Sequence, residues 1–346
     1  MNLDRIVKPA RARVFRTWRS IAVRVPGARI RAFGVGPGQI GAITVINLDR
    51  QPLRWALVTR ELGRFRTSDG IPLTSITQRL EAIDARDGRS AAATADVDVM
   101  YKVGVQLHVP PDARLAECFS EDEPVRMTQQ EVAVARSHVE AWKAVATGTN
   151  DFVLVLEDDV WITPGAAAAI NRGWRTARRR CAGDGGPKLL YLSYSDAGGT
   201  AVREDTAGGV FRPVSGLWFL SGYVLSREGA AELLRAMPVV GPVDLWMNFR
   251  LGELGALALS SPAIAQRRDV RSDNAYSILP YLARAGIVDA AHGARPPDVS
   301  HSRPVLAWTA GADQERLAMA LSMLGLRVRA FDGDEPPMSE LSLIHI

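Results

Sequence analysis

From Ala42 onward the chain repeats one pattern: a short uncharged run of β-favouring residues, then a longer stretch in which apolar positions recur every three or four residues. Ala42 to Leu48 (AITVINL) predicts a first buried strand. Pro52 opens an amphipathic helix that carries Trp55, Leu57, Val58 and Leu62 to about Gly63. Leu80 to Ile83 predicts a short second strand and Asp84 to Gly88 a loop, while residues 89–125 show only weak patterning. Thr128 and Glu131 have capping-box spacing, which starts a helix over Gln129 to about Ala146. Phe152 to Glu157 is a further strand, and a helix follows from near Pro164 to Arg180. Leu189 to Ser193 and Phe219 to Leu225 read as strands, Glu228 to Met237 and Leu245 to Leu254 as helices, and Pro262 to Ser277 as loop and edge strand. Strands alternating with helices predict an α/β fold with a mostly parallel central sheet and ligands outside the strand C-termini.

The third strand carries the most informative chemistry. FVLVLEDDV (Phe152 to Val160) is an apolar run that ends in three consecutive acids, where a strand buried on both faces emerges from the core. Side chains two apart on a strand share a face, so Glu157 and Asp159 belong together and Asp158 lies opposite. Two carboxylates so placed suit a hard divalent cation. A solvated acidic turn before the next helix is the alternative.

Composition adds less. The chain has 346 residues, 47% hydrophobic and 23% charged, which is ordinary for a globular protein and enough for one large domain or two. The net charge of +4 sits in residues 1–42, where nine Arg or Lys face the single acid Asp4. The remainder is slightly acidic, so overall basicity is no argument for a nucleic-acid partner. Val14, Trp18, Ile21 and Val25 recur at helical spacing among those arginines. That suits a peripheral contact with anionic lipid or an apolar stripe packed on the domain. Two cysteines, Cys118 and Cys181, build neither a disulfide framework nor a four-thiolate zinc site, and point to a reducing, cytoplasmic setting. No apolar run reaches the ~20 residues that span a bilayer. Residues 304–346 read as strand, loop, helix and strand, the opening of a further α/β unit. The closing LSLIHI has the look of appended sequence, so a truncated second unit over 301–346 is the expectation.

Several blocks in order resemble glycosyltransferase family 25, the bacterial lipooligosaccharide galactosyltransferases and related collagen galactosyltransferases. The blocks are VINLDRQPLRW (Val45 to Trp55), LEAIDARDG (Leu80 to Gly88), EVAVARSHVEAWKAV (Glu131 to Val145), VLVLEDDV (Val153 to Val160), GYVLSREGAAELL (Gly222 to Leu234) and PVDLWMNF (Pro242 to Phe249). The resemblance implies a transferase domain over about 43–300 with a GT-A-like nucleotide-sugar-binding fold. It also implies a UDP-sugar donor, a glycan or lipooligosaccharide acceptor, and Mn²⁺ or Mg²⁺ held by Glu157, Asp158 and Asp159, with Asp159 the foremost ligand. Ala133 and Val134 stand where the family usually has Gly-Cys, and the loop after Asp84 carries an extra Ala-Arg. Neither departure removes a charged group, so their effects fall on packing and loop shape.

Asn47, Asp49 and Arg50 follow the first strand, where a base or ribose would lie. Asn47 can pair with a pyrimidine edge, and Arg50 or Arg54 can fork onto phosphate oxygens. Asp49 equally suits a helix N-cap, and Arg54 a solvated position. Asp84 ends the second strand, where a carboxylate accepts ribose hydroxyls. Ser137 and His138, in the family's third block, fall near the donor phosphates or the ion, although a lone helical histidine is more often structural. Asp244, at a helix start, is the candidate catalytic base and equally a candidate N-cap. Gln266, Ser272 and Asp273 are weaker donor-site candidates. Trp218, Tyr223 and Trp246 suit either a sugar-stacking face or the core. Arg178, Arg179 and Arg180 read as a solvated cluster complementing a helix C-terminus.

Overall fold

The structure is a computed structural model. It describes residues 27–87, 94–109, 112–197, 201–267 and 276–288, together with the backbone of 305–307 and 328–330. Its centre is an eight-stranded mixed sheet. In chain order the strands are β1 (Ala42–Asn47), β2 (Thr77–Glu81), β3 (Phe152–Glu157), β4 (Leu189–Tyr191), β5 (Val202–Ala207), β6 (Val210–Ser215), β7 (Gly222–Ser226) and β8 (Leu257–Leu259). They lie side by side as β5-β6-β8-β4-β7-β3-β1-β2. β2, β1 and β3 run parallel, and β4 and β8 share their direction. β7 is inserted antiparallel between β3 and β4, and β6 antiparallel between β5 and β8.

The expectation of a mostly parallel sheet therefore holds for strand direction and fails for pairing. The β5–β6 hairpin and β8 lay outside the expected strands. β5 is exposed along its length, so no apolar alternation marks it, and β8 is only three residues long.

The principal helices are α1 (Pro52–Leu62), α2 (Gln129–Thr147), α3 (Ala166–Arg180), α4 (Arg227–Arg235) and α5 (Val243–Asn248). α1 begins with Pro52, whose missing N–H falls where no partner is required. α2 begins with the capping box: Thr128 Oγ1 accepts from Glu131 N at 3.1 Å, and a Glu131 carboxylate oxygen accepts from Thr128 N at 2.8 Å. The other Glu131 oxygen accepts from Ser277 N at 3.1 Å, which ties the closing segment to this helix. α3 starts from Gly165 at φ +77°, and Gly173 lets it lie close on β8, where a Cβ would collide with Leu259.

Two cores result, one on each face of the sheet. Trp142, Tyr191, Tyr223 and Trp246 belong to the core beneath α2 and α4, and Phe33, Ile43, Leu156 and Trp174 to the core beneath α1 and α3. Ile30, Phe33 and Ile40 are fully buried in the second, so the folded body begins before residue 43. Residues 89–125 hold short strands and helices where they are described, and Val305–Ala307 pairs parallel with Val328–Ala330. Among the described residues no helix is long and apolar enough to cross a membrane.

Candidate functional site

β1 has β2 on one side and β3 on the other, so the chain reverses its direction of travel across the sheet at the β1–β3 boundary. Crevices open at such switch points, beyond the strand C-termini. Here a crevice enclosing about 110 Å³ is lined by Ile46 and Leu48 at the end of β1, Ile83 after β2, Glu157, Asp158 and Asp159 at the end of β3, Arg50 and Arg54 at α1, and Ser137 and His138 of α2. A second cavity of about 60 Å³ shares Glu157 and Val134 with the first, and adds Glu131, Phe219, Asp244, Gln266 and Tyr276. Glu157 stands between the two.

The three consecutive acids have different surroundings. Asp158 turns into the protein: Asn47 Nδ2 donates to its Oδ2 at 2.6 Å and Arg54 donates to its Oδ1 at 3.2 Å. Burial raises its pKa despite the opposing pull of those two donors. Asp159 has no such support. Its Oδ1 is buried without a hydrogen-bond partner among the described residues. Burial, then the Glu157 and Asp158 charges, push its pKa up to about 7. Glu157 accepts from Gln266 Nε2 at 3.3 Å on one oxygen and has His138 Nε2 at 3.6 Å from the other.

His138 is fixed from behind. Trp142 Nε1, which can only donate, meets Tyr223 Oη at 2.9 Å, and that hydroxyl lies 3.0 Å from His138 Nδ1. With Tyr223 Oη accepting from the indole N–H, its buried O–H is satisfied by donating to His138 Nδ1. The network thus assigns the imidazole proton to Nε2, which is turned toward Glu157. That Nε2 has no hydrogen-bond partner among the described residues.

Several expected nucleotide contacts are corrected by these bonds. Asn47 is fully buried, and its amide is taken up by Asp158, by the Gln51 carbonyl at 3.2 Å and by Arg79 Nε, which donates to Oδ1 at 2.7 Å. It organises the crevice from beneath and does not line it. Asp49 is 65% exposed, pairs with Arg79 at 2.5 Å and caps nothing, since Gln51 occupies the N-cap of α1. Asp84 lies three residues past the end of β2. Its Oδ2 accepts from Arg50 Nε at 2.6 Å and its Oδ1 from Arg86 N at 3.0 Å. Burial pulls its pKa up, the Arg86 amide and Arg50 outweigh that, and the net shift is downward. Arg54 is nearly buried against Asp158, so it is not the solvated residue that its place on α1 also allowed. Ser137 donates to the Ala133 carbonyl at 2.7 Å and accepts from Ile83 N at 2.9 Å, binding α2 to the strand-end loop beneath the cavity.

Asp244 does not cap α5; Pro242 holds that place. Its Oδ1 accepts from Leu245 N at 3.0 Å and its Oδ2 from Phe219 N at 3.3 Å. Burial raises its pKa, the two amides oppose that, and the Glu157 charge adds to the rise. Phe219 is held at φ +74°, a left-handed conformation that an aromatic residue adopts at a cost of about 1–3 kcal/mol. That strain aims its N–H at Asp244, and no sequence signal reveals it. Tyr223 and Trp246 are core residues, with Trp246 stacked on Trp142 at 5.8 Å between centroids, and Trp218 packs against the same core. Tyr223 and Trp246 are too deeply buried to form a sugar platform. Ser272 and Asp273 lie outside the described residues.

Among the described residues no group of three or more His, Cys, Asp or Glu side chains is arranged to enclose a metal ion. Glu157 and Asp159 nevertheless fit one that is held by two carboxylates and completes its shell with ligand oxygens, as Mg²⁺ does at phosphate sites. The orphaned Asp159 oxygen is the observation that favours this, because a cation there would offset both its desolvation and the neighbouring negative charge.

No protein-family model matches the chain, and no curated protein matches it. Among solved structures, mannose-1-phosphate geranyltransferase from Thermus thermophilus is similar over 77% of this chain and 81% of its own, at 9% identity and a TM-score of 0.22. A TM-score that low carries no argument about fold or activity.

Proposed function

We propose that this chain is a metal-dependent glycosyltransferase of the family 25 kind on a GT-A-like fold, moving a hexose from a UDP-sugar to a glycan hydroxyl. The observation that carries the reading is Glu157 standing between two cavities at the sheet's switch point, with the unpartnered Asp159 beside it. The first cavity supplies Arg50 and Arg54 next to the carboxylates, a combination suited to a diphosphate bridged to a cation. The second supplies Asp244, a carboxylate whose raised pKa makes it a stronger base near neutrality.

In this reading Glu157 and Asp159 hold a divalent ion, which when bound offsets the charge that the diphosphate gains as the anomeric C–O bond breaks. Arg50 and Arg54 orient the phosphates, and Asp84 keeps the Arg50 guanidinium in place. Asp244 takes the proton from the attacking acceptor hydroxyl, and transfer proceeds with inversion. His138, oriented by Tyr223, steadies Glu157. The expected donor is UDP-galactose and the expected acceptor a lipooligosaccharide or other surface glycan, used on the cytoplasmic side of a membrane. A nucleotidylyltransferase is less well supported, because the β1–α1 connection Leu48-Asp49-Arg50-Gln51 has no glycine-rich phosphate loop.

Donor hydrolysis across UDP-hexoses, with and without Mn²⁺, tests the proposal. It requires turnover of at least one UDP-hexose only when metal is present. Indifference to every nucleotide sugar at millimolar Mn²⁺ would remove it and leave a binding role.

A further inference from the structure

A second charged feature lies beside α3, away from the crevice. Asn171, Arg175, Arg178 and Arg179 are spaced so that they share one side of that helix, flanking the face that buries Ile170, Trp174 and Ala177. The segment from Ala28 to Gln39 runs alongside and contributes Arg29 and Arg31. Between them is an open groove with two adjoining lobes of about 490 and 600 Å³, which share Arg31, Gln39, Asn171 and Arg175. Five arginines line it and, among the described residues, no acidic side chain does.

Arg178 is used structurally, lying 5.0 Å over the Phe152 ring and donating to the Gly185 carbonyl. The other four differ. Arg29, Arg31, Arg175 and Arg179 are exposed, and none has an ion-pair or side-chain hydrogen-bond partner among the described residues. Exposed like charges at this spacing repel weakly in water, so they cost little stability while creating a positive field over the face.

Exposed aliphatic residues stand on segments adjoining the groove, as does the exposed Asp69, which follows the lining residue Ser68. Val35 is 82% exposed, and the glycines on either side of it abut the side chain of Gln39, which lines both lobes. Ile71 is 42% exposed and follows Gly70, whose Cβ position lies 2.9 Å from the Arg29 guanidinium. The aromatic residues nearby, Phe33 and Trp174, are buried, so the groove offers no ring on which a nucleobase can stack. Unpaired arginines, with exposed aliphatic tips on adjoining segments, match the interface of a bilayer, where lipid phosphates meet the charges and the tips enter the acyl boundary.

We propose that this face docks on an anionic lipid bilayer. The surface is part of the folded body and is independent of the transferase reading.

Co-sedimentation of the full chain with phosphatidylglycerol–phosphatidylcholine vesicles tests it. The chain is expected to bind these and to ignore pure phosphatidylcholine vesicles. An Arg175→Glu/Arg179→Glu pair should lower partitioning by about 25-fold or more, from the contribution of each cation near a charged surface. Val35→Asp should weaken binding about fivefold, from the loss of one buried aliphatic tip, and neither change should move the melting temperature. No binding to anionic vesicles would overturn the proposal. Undiminished binding by the arginine pair would overturn it too, assigning the interaction to residues 1–26. Loss of RNA binding in that pair, without any vesicle binding by the parent, would make the face a nucleic-acid surface instead.

Discussion

Two regions of this molecule crowd charges of one sign, the carboxylates beyond β3 and the arginines beside α3, and burial makes them opposite in consequence. Around α3 the guanidinium groups stand in water, where solvent and salt screen them and the fold loses little. At the end of β3 the carboxylates are partly drawn out of water. Asp158 is compensated by Asn47 and Arg54, whereas Asp159 keeps an oxygen without a partner and holds a proton up to about pH 7. An exposed cluster indicates a partner that approaches from outside. A buried, under-compensated one indicates a ligand that belongs in the structure, because without it the group is a standing cost.

The largest expected effect comes from removing the charge that this comparison identifies as uncompensated. Asp159→Asn should reduce metal-dependent donor turnover about 10²- to 10³-fold, the scale for losing one charge-stabilising group. The same change should leave the metal-free melting temperature at pH 8 unchanged or raised. A lowered melting temperature would show that the carboxylate is satisfied in the free protein, and the comparison would break. Asp244→Asn should lower kcat about 10²-fold or more with little change in KM, as expected for loss of a general base. In the parent, the acid limb of the kcat profile should lie above the ordinary carboxylate range.

Stability against pH sharpens the contrast further. The folded-state pKa of Asp159 is raised above that of the unfolded chain, as are those of Asp158 and Asp244. For each, the favourable contribution is complete below about pH 4 and is lost as pH rises through the folded-state value, which for Asp159 is about 7. Metal-free melting temperature should therefore fall across that window, and Mn²⁺ should restore more of it at pH 8 than at pH 5. Tyr223→Phe should destabilise by about 1–3 kcal/mol in denaturant unfolding, since it strands the Trp142 indole N–H and His138 Nδ1 in the core. The smallest effect belongs to the exposed region: Arg175→Glu/Arg179→Glu should change unfolding free energy by less than about 0.5 kcal/mol.

Much of the fold could be read from the chain, and for identifiable reasons. β1 is rich in β-branched residues, β3 is apolar up to its terminal Glu157, and the helix after Thr128 carries its own capping signal, so each is locally determined. β5 and β8 could not be read that way, because one is wholly exposed and the other three residues long. The acidic strand end, Arg50, Arg54, Ser137 and His138 do gather at one cavity, and Asp244 reaches it through Glu157. What residue types alone do not reveal is which polar atom is already satisfied. Asn47, Asp49 and Asp158 carry the right chemistry, yet they are committed to Arg79, Arg54 and each other by contacts between residues far apart in the chain. The left-handed Phe219 and the Trp142–Tyr223–His138 chain are likewise tertiary facts, set by packing between distant strands and helices.

Titration calorimetry of Mn²⁺ into the metal-free protein in the presence of UDP bears most directly on the central claim. Saturable uptake near one ion per chain is expected, abolished in Asp159→Asn and retained in Arg175→Glu/Arg179→Glu. Absence of uptake by the parent, or equal uptake by Asp159→Asn, would contradict it.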